Sequence, residues 1–367
     1  MKYVAILNSR QNLRPIGSDL WIKYTKLTMQ KLSGQDVTVL SSVGMKTWEL
    51  LVHFAAKYKI KQRIYIPITS EQKNIDVIAY YTNQFGLSQK LTDYYFFEVE
   101  NLQKDKLIFQ QERDRQIIND ADIIYPISIR KDSTLRQLYS KVESRQVVVD
   151  KQVTVKYEKN RKPCKYKIDY DKLNPVIDKK LDNFLIHWTR TANDLWPDEK
   201  LNNYYQSISS SKDNYSHSAY DTLIRILSEK KLRASSRHYR RNISAVAFSE
   251  LKPSDAISLM KWRARYHEMS FEPYGIAINK KAAAKIGVRP VIYGDSKEYN
   301  GLKKTDQPYF QAIGIKGFWR PEKEWRFIGE IDLLKIHLKD LKIIVWKKEQ
   351  IDLINRYSKS EIISLYK

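Results

Sequence analysis

The chain has 367 residues, a single cysteine, 42% hydrophobic content and a formal net charge of +23. The length suits two domains with real cores, the lack of any apolar run of about 18 residues argues against a membrane span, and the lone Cys164 excludes intramolecular disulfides and thiolate zinc sites. The basic excess attracts polyanions, so DNA, RNA or a nucleotide is the expected partner, although a solvated lysine-rich surface gives the same total.

The opening MKYVAILNSR is too short and too β-like for a signal peptide, and a cytoplasmic protein is expected. YVAILNS reads as a buried first strand. SDLWIKYTKLTMQKLSG has helical spacing and stops at Gly34, VTVLSS is a second strand, VGMKTWELLVHFAAKYK a second helix and RIYIPI a third strand. DADIIYPIS and RQVVVD add strands around the helix STLRQLYSK. Strands alternating with helices at this spacing predict an α/β, Rossmann-like domain with a parallel sheet over 1–150. The segment 151–180 is dense in Lys and Tyr and reads as a basic hairpin or linker. From 181 to 367 the pattern turns α+β: SAYDTLIRILSEKKL is an amphipathic helix, and AVAFSE, YGIAIN, RPVIYG, EWRFIGEI and KIIVW are strands.

In an open α/β sheet, ligands sit at the carboxyl ends of the strands, where helix-start amides cradle phosphate. Three such loops occur in the first domain. They carry Ser9, Arg10 and Gly17, then Ser41, Ser42 and Gly44, then Ser128 and Arg130. A nucleotide ligand held by Ser9, Arg10, Ser42, Gly44 and Ser128 is expected. These loops and their order resemble the SLOG superfamily of Rossmann-like proteins. Where that family has a double glycine this chain has SSVG, and it lacks the acidic and arginine motif of the family's phosphoribohydrolases. The resemblance therefore implies ligand sensing or a scaffold rather than hydrolysis.

In the second domain LIHWTR places His187 and Thr189 at alternate positions of a strand, facing one way, with Trp188 opposite. A histidine and a hydroxyl side by side can hydrogen-bond a ribose and an amide. A carboxylate in the same cleft could polarise a ribose hydroxyl and stabilise an oxocarbenium-like centre. EKEWRF supplies Glu324, with Glu322 and Arg326 at the same parity and Trp325 and Phe327 turned to the core. LIHWTR, YDTLIRILSEKKLRAS, AVAFSEL, YGIAINKKAAAKIGVRPVIYG and EKEWRF, in that order over 181–330, resemble the AbiGi-type abortive-infection domain, which implies a bacterial phage-defence setting. The same order is similar to an ADP-ribosyltransferase core. That likeness implies NAD as substrate, His187 and Glu324 as catalytic residues, and Thr189, Tyr220, Ser249 and Tyr274 around the nicotinamide and its ribose.

Each of these residues also has an ordinary structural reading: a satisfied half-buried histidine, a strand-end serine, an Arg326 paired to Glu322 or Glu250, a tight approach at Tyr274–Gly275. The other histidines show no metal-ligand spacing, and no metal is expected. SSRHYRRNIS concentrates Arg237, Arg240 and Arg241 around Tyr239, a mixture suited to phosphate contact and base stacking. Together with KWRARYHE at 261–268 it is expected either to flank a substrate groove or to be an exposed loop followed by a basic helix face. Three functions compete. The first is a phage-defence protein with a nucleotide-sensing or scaffold domain and an NAD-using effector. The second is a non-enzymatic nucleic-acid-binding or antitoxin-like regulator. In the third, the first domain is itself a nucleotide N-glycosidase.

Overall fold

A computed structural model describes residues 1–102, 106–142, 147–158, 166, 168–236, 239, 243–263, 267–313 and 322–367. The chain forms two units, Met1–Arg161 with Asp198–Ser216, and Lys162–Pro197 with His217–Lys367. Among the described residues no helix is long and apolar enough to cross a membrane.

Unit 1 alternates β1 (Lys2–Asn8), α1 (Leu20–Leu32), β2 (Val37–Ser42), α2 (Lys46–Tyr58), β3 (Lys61–Ile68), α3 (Asn74–Phe85), β4 (Thr92–Glu98), α4 (Lys106–Asp120), β5 (Ile123–Ser128), α5 (Thr134–Ser140) and β6 (Val148–Val149). The strands pair in parallel in the order β4-β3-β2-β1-β5-β6, which makes it an α/β Rossmann-like domain. The central strands are apolar on both faces, Val4 to Leu7 being fully buried, as a sheet covered by helices on each side requires. Helix α1 buries Trp21, Ile22, Thr25, Thr28, Met29 and Leu32 at helical spacing. The elements α3, β4 and α4 fill a stretch in which no local pattern marked an element.

Unit 2 contains α6 (Ile177–Lys180), β7 (Phe184–Trp188), α8 (Ala219–Glu229), β8 (Lys231–Leu232), β9 (Ala245–Ser249), α9 (Pro253–Ile257), β10 (Trp262–Arg263), β11 (Glu268–Met269), β12 (Gly275–Asn279), α10 (Lys280–Lys285), β13 (Arg289–Pro290), β14 (Ile292–Gly294), β15 (Phe310–Ala312), β16 (Glu324–Ile328), β17 (Ile331–Asp332), β18 (Leu341–Val345), α11 (Gln350–Asn355) and β19 (Glu361–Ser364). Seven strands form a mixed sheet, β13-β16-β9-β7-β12-β18-β19, antiparallel except for β18 with β19. One face packs Leu185, Val246, Phe248, Ile276 and Ile343 against Leu223 and Leu227 of α8. The other packs Ile186, Trp188, Ala277 and Ile344 against Ile177 of α6 and Ala256 of α9. This is an α+β domain.

Two boundaries differ from the sequence expectation. Helix α7 (Leu201–Ser210), assigned to the second domain by position, belongs to unit 1. Its apolar face carries Leu201, Tyr204, Tyr205 and Ile208. Tyr205 stacks on Phe85 of α3 and its hydroxyl bonds Glu49 of α2 at 2.5 Å, while Asn202 meets His53 of α2 at 2.8 Å. That cover explains why α2 is buried nearly all round. The second difference concerns 151–180, whose described residues form no hairpin. Thr154 and Val155 run beside β5, bonding the carbonyls of Pro126 and Ile127, and 170–180 holds a single 3-10 turn followed by α6. Cys164 lies outside the described residues.

Candidate active site

The ladder between β7 and β9 holds a single residue pair, Ile186 with Ser249. Beyond it, the Ala247 carbonyl, which a continued ladder would engage, instead accepts the Nδ1–H of His187 at 2.8 Å. A carbonyl only accepts, so Nδ1 carries the proton and Nε2 keeps its lone pair. Burial, with the Arg190 charge adding to it, holds the ring down to about 4 despite the opposing bond to Ala247. His187 is therefore neutral near pH 7 and offers an acceptor.

The break in the sheet opens into a cavity of about 310 Å³. Its described lining includes His187, Arg190, Tyr239, Ser249, Arg263, Glu322, Glu324 and Arg326, with Trp188, Phe248 and Phe271 as aromatic walls. Strand β16 delivers Glu324 and Arg326 on one side, while Trp325 and Phe327 turn to the core, as alternation demands. Arg326 is a clamp. Its Nε and Nη2 bind the two Glu324 oxygens at 2.8 and 3.1 Å, Nη1 meets the carbonyls of Pro308 and Phe310, and Nη2 also meets Gln311 at 2.7 Å. Tyr239 covers the guanidinium with its ring, 4.6 Å away, and its hydroxyl approaches Glu324 at 3.4 Å. The Tyr293 hydroxyl accepts the Glu324 amide at 3.1 Å. Glu324 is thus fixed in place and keeps 12% of its side chain exposed.

Two residues earlier, Glu322 shares the cavity under different conditions. Burial and the adjacent Glu324 charge push its carboxyl up to about 7, against the pull of Arg190, Arg263 and Arg326. A carboxyl half-protonated at neutral pH can give or take a proton within a catalytic cycle. Lys323 between the two acids adopts φ 44°, a left-handed conformation uncommon outside glycine. The Ser249 hydroxyl donates to the Glu322 carbonyl at 2.7 Å and accepts the Leu251 amide, tying the acidic turn to β9.

The structure thus gathers His187, Ser249 and Glu324, with Ser249 acting through the backbone. It does not bring Thr189, Tyr220 or Tyr274 to the cavity. The strand ends at Trp188, so alternation no longer governs Thr189; its hydroxyl donates to the carbonyls of Ala219 and Tyr274. Tyr220 packs against Tyr274, whose hydroxyl accepts from Gln350. Arg326 pairs with Glu324 rather than with Glu322 or Glu250; Glu250 holds Lys280 and the Trp325 indole. Arg237, Arg240 and Arg241 lie outside the described residues. Sequence reasoning missed Arg190 and Gln311, whereas Tyr239 and Arg263 come from SSRHYRRNIS and KWRARYHE, the two basic stretches expected to flank a substrate groove. Of the two missed, only Arg190, three places after His187, stood close enough in sequence to invite attention.

In unit 1, Ser9 and Ser128 meet where β1 adjoins β5, the Ser9 amide donating to the Ser128 carbonyl at 2.8 Å. The Ser9 hydroxyl accepts the Arg130 amide at 3.0 Å, and exposed Arg10 reaches Gln110. The cavity beside Ser128 is only about 50 Å³, too small for a nucleotide. The Ser42 hydroxyl is spent on the Tyr65 carbonyl at 2.6 Å. The Gly44 amide, the expected phosphate donor, is capped by Glu49 at 2.8 Å, one turn into α2. A larger cleft, about 920 Å³, opens at the carboxyl ends of β2 and β3 and is lined by Gly44, Lys73, Asp76, Tyr80, Tyr81 and Phe109 among others. Among the described residues no group of His, Cys, Asp or Glu is arranged to hold a metal.

No protein-family model matches the chain, and no curated protein matches it. Among solved structures it is similar to DNA processing protein A (DprA) from Streptococcus pneumoniae, with 14% identity and a TM-score of 0.31 over 40% of this chain and 49% of that one. The chain spans about half the length of that protein in the match.

Proposed function

We propose that unit 2 takes NAD as a substrate and breaks its nicotinamide–ribose bond, passing ADP-ribose to water or to a nucleophile on an acceptor. The cavity suits the nicotinamide ribosyl portion: its volume is at the low end for ligand pockets, its walls are aromatic, and its polar groups converge from three strands. Glu324, an acceptor held rigid by Arg326, binds a ribose hydroxyl and stabilises the positive charge that grows at C1′. Neutral His187 accepts from a second hydroxyl through Nε2. The C1′–N bond breaks, nicotinamide leaves with the electron pair, and the nucleophile bonds to C1′ while its proton passes to Glu322. The observation that carries this reading is the meeting of His187 and Glu324, 137 positions apart in sequence (324 less 187), at one cavity.

The resemblance of 181–330 to the AbiGi-type domain supplies the setting, an abortive response to phage in which unit 1 senses a nucleotide or serves as scaffold. Mass spectrometry of NAD and nicotinamide after incubation with wild type and Glu324→Gln tests the chemistry. Nicotinamide release is expected from wild type and to fall by roughly a hundredfold or more in the variant; equal rates would overturn it. The net charge of +23 favours a second reading, a non-enzymatic DNA- or RNA-binding regulator. Salt-dependent binding to duplex DNA or tRNA with NAD left intact would decide for it.

A further inference from the structure

We propose that Arg190 and Arg263 form a phosphate-recognition subsite in the unit 2 cavity, so that its ligand is a phosphorylated nucleotide rather than a free nucleoside. The proposal deepens the reading above and rests on it for the sugar chemistry, while the arginines stand on their own geometry.

Both side chains line the cavity and arrive from separate segments. The backbone around Arg190 is tied on each side. The Thr189 amide bonds the Tyr274 carbonyl at 2.8 Å, and the Arg190 carbonyl accepts from the Thr222 hydroxyl at 3.1 Å. The Thr191 amide and hydroxyl bond the buried Glu272 at 2.6 and 2.9 Å. Arg263 sits in the β10–β11 hairpin directly across from Glu268, and the Ser270 amide closes that hairpin on the Lys261 carbonyl at 2.9 Å. The backbone that carries each arginine is therefore set before any ligand arrives.

Glu268 is their shared acidic neighbour. Nη1 of Arg190 and of Arg263 lie 3.7 and 3.9 Å from its Oε1, beyond hydrogen-bond range. Such contacts hold both guanidiniums beside one carboxylate. Arg190 stays 42% exposed. Two planar forks at one cavity match phosphate oxygens, which guanidinium groups bind bidentately.

Occupancy of this subsite has a protonic signature. The charged and titratable groups around Glu322 are Glu324, Arg190, Arg263, Arg326 and Tyr293, with Tyr239 and neutral His187 on the facing walls. Its carboxyl already stands near 7 with three arginines pulling it down. A bound phosphate offsets two of those charges, Glu322 holds its proton more firmly, and binding near pH 7 takes up protons.

The test is titration calorimetry of the full chain with ADP-ribose and with adenosine, at pH 7, in buffers of differing ionisation enthalpy. Wild type is expected to prefer ADP-ribose by at least roughly tenfold and to take up protons on binding it. Arg190→Ala and Arg263→Ala each weaken ADP-ribose roughly ten- to hundredfold, leave adenosine unmoved and still melt cooperatively. Arg190→Lys restores only part of the loss, because an ammonium lacks the fork. Glu322→Gln removes the proton uptake and keeps the preference for ADP-ribose. Equal affinity for the two ligands, no binding of ADP-ribose, or ADP-ribose affinity unchanged in both alanine variants overturns the subsite. NAD cleavage alongside any of those results would leave the reaction standing without the subsite. Arginine-dependent ADP-ribose binding without NAD cleavage would do the converse.

Discussion

Glu322→Gln is a mutation expected to stabilise the protein, and to do so only above a certain pH. The carboxyl stands at about 7 in the folded chain and at 4.5 ordinarily, a gap of about 2.5 pH units, worth about 3 kcal/mol. Folding raises this group's proton affinity. Below pH 4.5 both states carry the proton and Glu322 costs nothing. Between 4.5 and 7 the unfolded chain releases it first, and the fold loses stability as pH rises; above 7 the full cost is present. Partial exposure of the side chain trims the figure to about 1–3 kcal/mol. Glutamine cannot ionise and escapes the cost. Calorimetric melts of wild type and variant should coincide near pH 4.5 and separate by several degrees at pH 8, with about 2–4 °C per kcal/mol for a unit of this size. Coincident melts at both values, or a variant that melts lower at pH 8, would refute the electrostatic account of this cavity.

His187 titrates with the opposite sense: held down to about 4, it adds stability above its ordinary 6.5 that drains away as pH falls towards 4. The two slopes nearly cancel between pH 4.5 and 6.5, so His187→Gln should melt with a stability that rises on acidification over that window, which paired melts at pH 4.5 and 6.5 will read. Arg326→Ala should destabilise unit 2 by roughly 3–5 kcal/mol in urea unfolding, because Glu324 is left buried without its cation, and Arg326→Lys should recover little of it. Gly275→Ala should cost roughly 1–3 kcal/mol, since a methyl group there meets the His187 carbonyl at 2.8 Å and the Ile186 side chain at 3.2 Å; a variant as stable as wild type would show that β7 yields freely.

The readable parts of this chain were those in which neighbours in sequence settle the outcome. Helix α8 announced itself by Leu223, Ile226 and Leu227, and β16 by the alternation of Glu324 and Arg326 with Trp325 and Phe327. Thr189 was misplaced because strand alternation was carried one residue past the strand's end. The SSVG turn was read as an anion cradle although Glu49, already visible in the sequence, supplies the anion from within. Gln311 was out of reach for a different reason: it touches the site only through pairing of distant segments, which no local pattern encodes. The same holds for Ser249, whose residue type was noted but whose bond to the Glu322 carbonyl depends on how β9 aligns with β16.

Helix α7 returns to unit 1 although the chain on both sides of its excursion belongs to unit 2. The polypeptide therefore changes units three times, and no single cut liberates either one whole. A fragment ending at residue 161 would strip α2 and α3 of Tyr205 and bare greasy surface around Phe85 and His53, inviting aggregation. A fragment beginning at 162 would drag along an amphipathic helix with nothing to cover it. Dissecting the molecule calls for joining residue 197 to residue 217 through a short bridge and supplying 198–216 to unit 1 on a tether.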